Sequence, residues 1–490
     1  MNDMINRLVI ISNRLPIILE KENGKWKTIP GSGGLVTALA PVLKNRGGMW
    51  IGWPGTSELT DVSKPIEKAS SSAGFTMKPV LLNEEEIEGY YIGLSNEVIW
   101  PLFHDLQSYC NFDPQYWDTY KEINRRFAEV TIENTSTEDF IWVHDYHLIN
   151  VAQELKKLGT RSKIGFFLHI PFPPLDIFFK LPWRREILLA MLEYDVIGFQ
   201  TLRDRRNFIQ CVRALTEGII IQGKGQVIIA RIGNRTIRIC SFPISIDYKN
   251  FVSLARSKKV ADEAWFIHEK LPGYQIILGI DRLDYTKGIP YRLKAFRNAL
   301  QRYPELLNKV ILIQVVVPSR RNIPVYNELK EEIERLVGEI NGEFTRSGWV
   351  PIHYIYRSLR KNELLAYYRT AEIALITPLK DGMNLVAKEY CVSNIEEKGV
   401  LILSEFAGTA AQLQKGALLV NPYDIQKVAD AIYRAFKMDE AERKIRMSKM
   451  RKAIKRSDIF WWVNSYLQAA ISHDLESFPL LEEYLPPYDI

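Results

Sequence analysis

The stretch Asp381-Gly-Met-Asn-Leu-Val-Ala-Lys-Glu389 decides how the rest of the chain is interpreted. It follows the apolar run Ile373-Ala-Leu-Ile-Thr377, which is typical of a buried parallel strand, and its Gly and Asn predict a tight turn. From Leu385 onward the sequence predicts a helix. The segment therefore places a helix N-terminus at the carboxyl end of a strand, where open α/β sheets bind anions and nucleotides.

Two carboxylates lie in this segment. Asp381 falls at the predicted turn, and Glu389 follows eight residues later, which we interpret as about two helical turns into the helix. An acid beside an anion site is costly unless it binds hydroxyl groups. A nucleotide sugar meets both conditions, because its phosphates accept hydrogen bonds from backbone N–H groups while its hydroxyls donate to carboxylates.

Length and composition indicate a globular protein of two or three domains. The chain has 490 residues, 47% of them hydrophobic and 25% charged, which is too long for one ordinary core. The formal net charge of +6 is mild and fits phosphorylated substrates. A nucleic-acid binder would show a concentrated basic stripe, so we expect no nucleic-acid partner.

Cysteine spacing and hydropathy indicate the cellular compartment in which the protein is expected. The four cysteines are scattered without a CxxC pair, which indicates neither a disulfide framework nor a zinc site. No apolar run approaches the roughly 20 residues of a membrane span. The opening residues lead into the strand-like run Leu8–Ile11 without the apolar core of a signal peptide. We therefore expect a cytoplasmic protein with no membrane partner.

Apolar, strand-like runs alternate with helical patterns in two halves of the chain, which favours parallel sheets. In the first half the predicted strands are Leu8–Ser12, Phe140–Val143, Lys163–His169, Asp195–Gln200 and Val227–Ile232. In the second half they are Gln275–Ile280, Lys309–Val317, Glu372–Thr377, Val400–Ser404 and Leu418–Asn421. The predicted helices include Leu148–Leu158, Arg184–Leu192 and Val325–Asn341.

The pattern restarts near Ile244–Phe251. We therefore predict an N-terminal domain over 1–245 and a C-terminal domain over 246–457, with a C-terminal helix over about 458–490 that packs back on the first domain. The expected fold class is α/β, with two Rossmann-like, doubly wound domains that face each other across a cleft.

Arg14 and a glycine-rich loop follow the first predicted strand. Arg14 ends that strand, and Gly31-Ser-Gly-Gly34 precedes a helical stretch that contains Pro41. Glycines before a helix let the backbone approach a phosphate or a sugar closely. A plain turn is the alternative, because short glycine-rich loops are common.

Tyr91 and Trp100 stand nine residues apart, with polar residues between them. Such rings can pack on a sugar while their OH or N–H groups donate to a phosphate. The alternative is that both rings belong to the core.

The segment Trp142-Val-His-Asp-Tyr-His147 also follows a predicted strand. The spacing of His144 and His147 could suit a metal, but no third ligand is evident, so we expect none. We prefer an interpretation in which Asp145 accepts a hydrogen bond from the acceptor sugar. His169, which precedes a proline-rich loop, would face the same cleft, although a histidine at a strand end is often only structural.

Arg282 and Lys287 lie in Asp281-Arg-Leu-Asp-Tyr-Thr-Lys-Gly288, directly after a predicted strand. A fixed guanidinium and a mobile ammonium suit a leaving diphosphate, whose charge grows as its bond to carbon breaks. The alternative is ion pairing with the neighbouring acids. Arg320 ends a further strand of the same half and offers another cation.

Together these motifs resemble the trehalose-6-phosphate synthase family of retaining, nucleotide-sugar-dependent transferases. The resemblance covers nearly the whole chain, from Ser12 to Gly408. It rests on matches that occur in order along the chain: Trp50-Ile-Gly-Trp53, His144-Asp-Tyr-His147, Gly165-Phe-Phe-Leu-His-Ile-Pro-Phe-Pro173, Arg282-Leu-Asp-Tyr-Thr-Lys-Gly288 and Asp381–Glu389.

The resemblance implies a GT-B fold with the active site between its two domains, and neither a metal nor a cofactor. The donor-binding residues that it implies are Gly33, Gly34, Arg282, Lys287, Asp381, Leu385, Val386 and Glu389. The acceptor-binding residues are Arg14, Tyr91, Trp100, Asp145 and Arg320. The catalytic group is Asp145, His169, Arg282 and Lys287. Among these, Arg282 and Lys287 would hold the diphosphate, Glu389 the ribose, and Asp381 and His169 the hydroxyls of the transferred glucose.

The implied reaction transfers glucose from a nucleotide sugar to glucose 6-phosphate. UDP-glucose is the first expectation, but GDP- and ADP-glucose stay open, because Leu359 stands where many members have Phe near the base. The aspartate-rich phosphatase motif of fused members is missing, so we expect a separate trehalose-6-phosphate phosphatase. Aromatic-rich surface helices favour a homo-oligomer, either a dimer or a tetramer.

Retention by double displacement needs a carboxylate nucleophile on the opposite face of the sugar, and none stands out. Our hypothesis is front-face displacement, in which the leaving phosphate oxygen takes the proton of the acceptor hydroxyl. Three alternatives are a transferase that uses glycerol 3-phosphate, a non-catalytic sugar-phosphate sensor and a dehydrogenase. The last is disfavoured because no GxGxxG follows a strand.

Overall fold

The structure is a computed structural model that describes residues 7–22, 25–31, 34–58, 62–320, 323–472, 478 and 481–485. The chain divides into two compact units. Unit 1 comprises Met1–Ile244 and Phe460–Leu481, and unit 2 comprises Ser245–Ile459 and Glu482–Ile490. The division at Ile244 lies next to the join that the sequence predicts.

Unit 1 combines a large sheet with helices that connect its strands. Its described strands are β1 Leu8–Arg14, β2 Ile17–Glu22, β3 Lys25–Pro30, β4 Gly48–Trp53, β5 Thr76–Pro79, β6 Phe140–His144, β7 Lys163–Phe167, β8 Val196–Phe199, β9 Ile219–Gln222, β10 Val227–Ile232 and β11 Arg235–Ser241. Its helices are α1 Gly34–Arg46, α2 Ser63–Ala73, α3 Glu84–Glu86, α4 Trp100–Phe103, α5 Pro114–Asn134, α6 Val151–Lys157, α7 Leu175–Phe178, α8 Arg184–Met191 and α9 Leu202–Leu215. A π-helical segment, Ile87–Ile99, joins α3 to α4.

Within the described ranges, nine strands of unit 1 form one sheet in the order β5-β4-β1-β6-β7-β8-β11-β10-β9. The strands from β5 to β11 in this order run parallel, whereas β10 and β9 continue the sheet antiparallel. The sequence predicted β10 as one of the parallel strands and missed β11, which is the parallel neighbour of β8. Arg235 and Arg238 interrupt the apolar pattern of β11, because only part of that strand is buried.

Unit 2 has a sheet whose described strands are all parallel. They are β12 Gln275–Arg282, β13 Val310–Val317, β14 Ile352–Tyr356, β15 Ile373–Ile376, β16 Val400–Ser404 and β17 Leu418–Val420. The helices are α10 Tyr248–Ala255, α11 Lys258–Lys270, α12 Ile289–Arg302, α13 Pro324–Phe344, α14 Lys361–Thr370, α15 Leu385–Ser393, α16 Ala410–Leu413, α17 Ile425–Lys437 and α18 Glu440–Arg456. Among the described helices of both units, none is long and apolar enough to cross a membrane.

The strand order of unit 2, β14-β13-β12-β15-β16-β17, is that of a doubly wound Rossmann sheet. Its direction of winding reverses between β12 and β15, and ligands of such sheets bind beyond the carboxyl ends of the strands at this switch point. The turns that follow β12 and β15 are therefore the expected ligand-binding turns of unit 2.

The last helix, α19 Ile459–Ile471, contributes large aromatic side chains to the core of unit 1. The ring of Tyr466 stacks on Trp142 at a centroid distance of 4.2 Å, and its hydroxyl lies 3.0 Å from the carbonyl oxygen of Phe166, to which it donates. The close approach depends on two glycines in neighbouring strands. A Cβ atom on Gly165 would overlap the Tyr466 hydroxyl, and one on Gly198 would lie 2.8 Å from the Tyr466 ring.

We expect Gly165→Ala to lower the free energy of unfolding by about 1–3 kcal/mol, because the added methyl group overpacks a buried contact. The measurement is the thermal midpoint by calorimetry. Gly338→Ala in α13 is the matched control, since its Cβ would meet no atom within 4 Å and alanine favours a helix interior. Equal midpoints for Gly165→Ala and the wild type would contradict the packing role.

Candidate active site

The turn after β12 presents two cations at the switch point of unit 2. Strand β12 ends at Arg282, which is exposed, and a 3-10 turn over Tyr285–Lys287 follows. Asp284 caps this turn by accepting hydrogen bonds from the backbone N–H and the hydroxyl of Thr286, at 3.0 and 2.8 Å. The cap therefore determines where Lys287 leaves the backbone.

The turn after β15 brings Asp381 to Lys287. The Lys287 Nζ lies 2.6 Å from Asp381 Oδ2, and both side chains are largely buried. Asn384 caps α15 with a φ of 74°, and its amide also donates to Asp381 at 3.1 Å. The helix begins at Leu385, as the sequence predicts. The structure thus joins the two predicted donor motifs in one ion pair.

Glu389 lies about one turn inside α15, because the helix begins at Leu385. The prediction of two turns is wrong. The Glu389 carboxylate accepts a hydrogen bond from the Tyr368 hydroxyl at 3.0 Å, and burial raises its pKa. Leu385 and Val386 are half-buried in the first turn of the same helix.

Three cations act on Asp284. Arg320 Nη1 lies 3.5 Å from its carboxylate. Burial alone would raise the pKa of Asp284, but Arg320, Lys287 and Arg282 together lower it. The structure therefore groups Arg320, which the sequence assigns to the acceptor phosphate, with the cations of unit 2, and that assignment stays a prediction.

In unit 1 a series of rings surrounds Arg14. The Arg14 guanidinium lies over the ring of Trp53, 3.9 Å from its centroid, and 5.5 Å from the centroid of Tyr91. Tyr91 in turn stacks on His147 at 5.8 Å. A guanidinium held between aromatic faces keeps its N–H groups directed away from the rings, where they suit a phosphate.

Trp100 lies deeper in unit 1 than Tyr91. It is 6% exposed and packs against Tyr146 and His104 at centroid distances of 5.8 and 4.3 Å. Tyr146 also contacts His147, and the centroids of these two rings are 3.9 Å apart. The alternative of a core position, left open by the sequence, fits the burial of Trp100 better than it fits the half-buried Tyr91.

Asp145 and His169 meet at the carboxyl ends of β6 and β7. Asp145 has a φ of 75°, and its carboxylate accepts a hydrogen bond from the backbone N–H of His169 at 3.2 Å. The His169 ring has two further partners, since its Nε2 lies 3.1 Å from His144 Nδ1 and its Nδ1 lies 3.4 Å from Gln200 Nε2.

The orientation of Gln200 determines which nitrogen of His169 carries the proton. Its Oε1 accepts from the backbone N–H of Ile244 at 2.8 Å, so its Nε2 faces His169 as a donor. His169 Nδ1 is then an acceptor, and the proton resides on Nε2 and is donated to His144. A sugar hydroxyl that approaches the ring of His169 must therefore displace one of these partners.

Burial keeps both imidazoles neutral. It lowers the pKa of His169 to about 3 and also lowers the pKa of His144, which the neighbouring His169 depresses further. Neither ring is a proton donor of imidazolium type near neutral pH. No group of three or more His, Cys, Asp or Glu side chains that could hold a metal occurs in the part of the chain that the structure describes.

The structure brings several predicted residues together and leaves others apart. Arg282, Lys287 and Asp381 share one site in unit 2, and Asp145 and His169 share one in unit 1. Gly34 begins α1, whereas Gly33 lies outside the described residues. Sequence reasoning assigned no role to Trp53, Gln200 and Tyr368, and it weighed His147 only as a metal ligand. The available signals were the motifs that contain Trp53 and His147 and the strand end at Gln200.

The doubly wound sheet of unit 2, with its cation-bearing switch point, and the largely parallel sheet of unit 1 are those of a GT-B glycosyltransferase. The sequence model of glycosyltransferase family 20 matches residues 6–472, and the chain belongs to this family.

Solved structures agree with this membership. An alpha,alpha-trehalose-phosphate synthase (UDP-forming) from Burkholderia xenovorans, in complex with glucose-6-phosphate, is 33% identical, with a TM-score of 0.85 and coverage of 95% of this chain and 99% of that one. A structure from E. coli, bound with UDP-2-fluoro glucose, is 34% identical, with the same TM-score and coverage.

A curated relative is longer than this chain. Alpha,alpha-trehalose-phosphate synthase (UDP-forming) A from Dictyostelium discoideum is 41% identical over 458 residues, which are 93% of this chain and 61% of the relative. The chain thus spans less than two thirds of that protein.

Acidification should destabilise the protein through His169. The folded pKa of about 3 lies below the unfolded value of about 6.5, so this contribution to stability is complete above pH 6.5 and is lost as the pH falls. At pH 5 the loss approaches 2 kcal/mol. We expect His169→Gln to lose less thermal stability than the wild type between pH 7 and pH 5. Parallel losses in the two proteins would refute a neutral, buried His169.

Proposed function

We propose that this protein transfers glucose from UDP-glucose to glucose 6-phosphate with retention and forms alpha,alpha-trehalose 6-phosphate. The observation that carries the proposal is the Lys287–Asp381 ion pair at the switch point of unit 2, next to Arg282. It supplies cations for a diphosphate and a carboxylate for sugar hydroxyls at one place. Two relatives of solved structure support both substrates, since one binds glucose-6-phosphate and the other UDP-2-fluoro glucose.

The donor diphosphate would replace Asp381 as the ionic partner of Lys287. The Asp381 carboxylate would then be able to accept a hydrogen bond from a hydroxyl of the transferred glucose. Glu389, oriented by Tyr368, would accept from the ribose. Leu385 and Val386 would lie beside the nucleotide, with Gly33 and Gly34 close to the donor.

The acceptor would bind through unit 1. Arg14, held between Trp53 and Tyr91, would bind the phosphate of glucose 6-phosphate, to which Trp100 and Arg320 are also assigned. Asp145 would orient the acceptor sugar. Its link to the backbone N–H of His169 places both residues at the same sheet edge.

The chemical step is a front-face displacement. The bond between the anomeric carbon and the diphosphate oxygen breaks while the acceptor oxygen bonds to the same face of that carbon. The acceptor proton passes to the leaving phosphate oxygen, and Arg282 and Lys287 stabilise the charge that develops there. The scheme uses no cofactor and no metal, and the product would be dephosphorylated by a separate phosphatase in trehalose biosynthesis.

The decisive experiment measures UDP release from UDP-glucose, with and without glucose 6-phosphate, in the presence of a chelator. Release that depends on the acceptor, together with a non-reducing disaccharide phosphate, would support the proposal. GDP- and ADP-glucose test the base, and glycerol 3-phosphate tests the acceptor. No release with any of these donors would refute the proposed transfer.

Arg282→Ala should raise the barrier by about 2–4 kcal/mol, by analogy with the loss of an oxyanion-hole donor, which lowers kcat/KM about 30- to 900-fold. Arg297→Ala in α12 is the matched control, because among the described residues the partly exposed Arg297 pairs with Glu339 and Glu343 near the surface. Full turnover of Arg282→Ala at saturating donor would exclude the proposed role.

Arg14→Met should weaken glucose 6-phosphate binding about 10- to 150-fold, as expected for the loss of a charged hydrogen bond. The readout is the ratio of kcat/KM for glucose 6-phosphate to that for glucose. Arg14→Lys keeps the charge but loses the planar guanidinium, so its ratio should lie between that of the wild type and that of Arg14→Met. An unchanged ratio in Arg14→Met would place the phosphate elsewhere.

A further inference from the structure

Unit 2 contains a cavity of about 1040 Å³ away from the switch point. Among the described residues, neither the cations Arg282 and Lys287 nor the carboxylates Asp381 and Glu389 line it. Its volume is that of a pocket for a small organic ligand. These four residues of the proposed transfer therefore lie outside the cavity lining, whereas Leu359, which the family resemblance places near the base, falls between the lining residues Arg357 and Arg360.

The floor of the cavity is one face of the sheet edge. His353 on the edge strand β14 lies opposite Ile313 in register, and Ile355 follows on the same face two residues later. One face of α11 forms a wall, on which Phe266 is 53% exposed. Ile313 is only 2% exposed, and the Lys270 ammonium lies over the Phe266 ring, 4.1 Å from its centroid. The accessible apolar surface of the cavity therefore comes from the half-buried Ile355 and from the rest of the Phe266 ring.

Several polar side chains at the cavity have no hydrogen-bond partner. The side chains of His353, Asn362 and Tyr367 form no hydrogen bond with any residue that the structure describes. Lys259 likewise forms no ion pair within the described ranges. Burial lowers the pKa of His353, so its neutral ring can both donate and accept.

The charge of the lining is positive. The cations are Lys259, Lys270, Arg357 and Arg360, and the carboxylates are Glu263 and Glu363. Glu363 is already bound by both terminal nitrogens of Arg357, at 3.0 and 2.5 Å. After this pairing Lys259, Lys270 and Arg360 face the single carboxylate of Glu263, so the lining keeps an excess of positive charge. Lys270 lies over the ring of Phe266, which leaves Lys259 and Arg360 as the cations for an anionic ligand.

We propose that this cavity binds a small organic phosphate, whose apolar or aromatic body lies on Ile355 and Phe266 and whose phosphate binds Lys259 and Arg360. An apolar floor alone would suit a neutral ligand, and surface cations alone would suit any anion. The combination selects a molecule that carries both groups. This site goes beyond the transferase reaction and does not depend on it.

The test is calorimetric titration of the full-length protein with phenyl phosphate while UDP and glucose 6-phosphate are saturating. These two ligands occupy the transferase sites, so the remaining binding reports on the cavity. We expect phenyl phosphate to bind under these conditions, and inorganic phosphate and phenol to bind more weakly. Complete displacement by UDP or by glucose 6-phosphate would overturn the proposal.

Matched variants locate the site. Lys259→Gln and Arg360→Gln should each weaken phenyl phosphate binding about tenfold or more, as expected for the loss of a charge-assisted hydrogen bond. Lys258→Gln is the control, because Lys258 is an exposed neighbour of Lys259 on α11 and does not line the cavity. Equal affinities of the wild type and both cavity variants would refute the assignment. Because this experiment measures binding and not turnover, its result does not depend on whether the protein transfers glucose.

Discussion

The Lys287–Asp381 ion pair is the interaction on which the site of unit 2 depends. Its side chains are only 11% and 14% exposed, so each charge needs the other, because an unpaired buried charge is costly. Backbone geometry holds both ends, through the Asp284 cap on one turn and the Asn384 cap on the other. In the proposed reaction a diphosphate would replace Asp381 without leaving Lys287 unpaired. The ion pair would thereby keep a buried cation in position for an anionic substrate.

A second ion pair, between Arg292 and Asp281, joins the same two strands. Arg292 on α12 lies 2.7 Å from Asp281 on β12, and their side chains are 0% and 2% exposed. Arg292 also donates to the hydroxyl of Thr377, which follows β15. One guanidinium thus ties together the two strands of the switch point. Breaking such a buried pair destabilises a protein by about 3–5 kcal/mol, so the site and the stability of unit 2 share the same residues.

Much of the fold could be predicted because its signals are local. The apolar runs and the Gly and Asn of the turn located β12, β15 and the start of α15 within a few residues. β11 escaped because its arginines break the apolar run. The predicted position of Glu389 in its helix was wrong, because the turns were counted from Asp381 although the helix begins at Leu385. The candidate side chains of Arg282, Lys287 and Asp381 followed from their motifs alone.

The sequence by itself determined the fold class, the family resemblance and the residue types at the strand ends, because each of these depends on neighbours a few positions apart. The tertiary structure decided how those residues are paired. Lys287 meets Asp381 across 94 residues, and Gln200 determines the tautomer of His169 across 31. Such pairings depend on which strands lie side by side and on the direction of each side chain. No local pattern carries that information, since the chain brings these partners together only when the parallel sheets form.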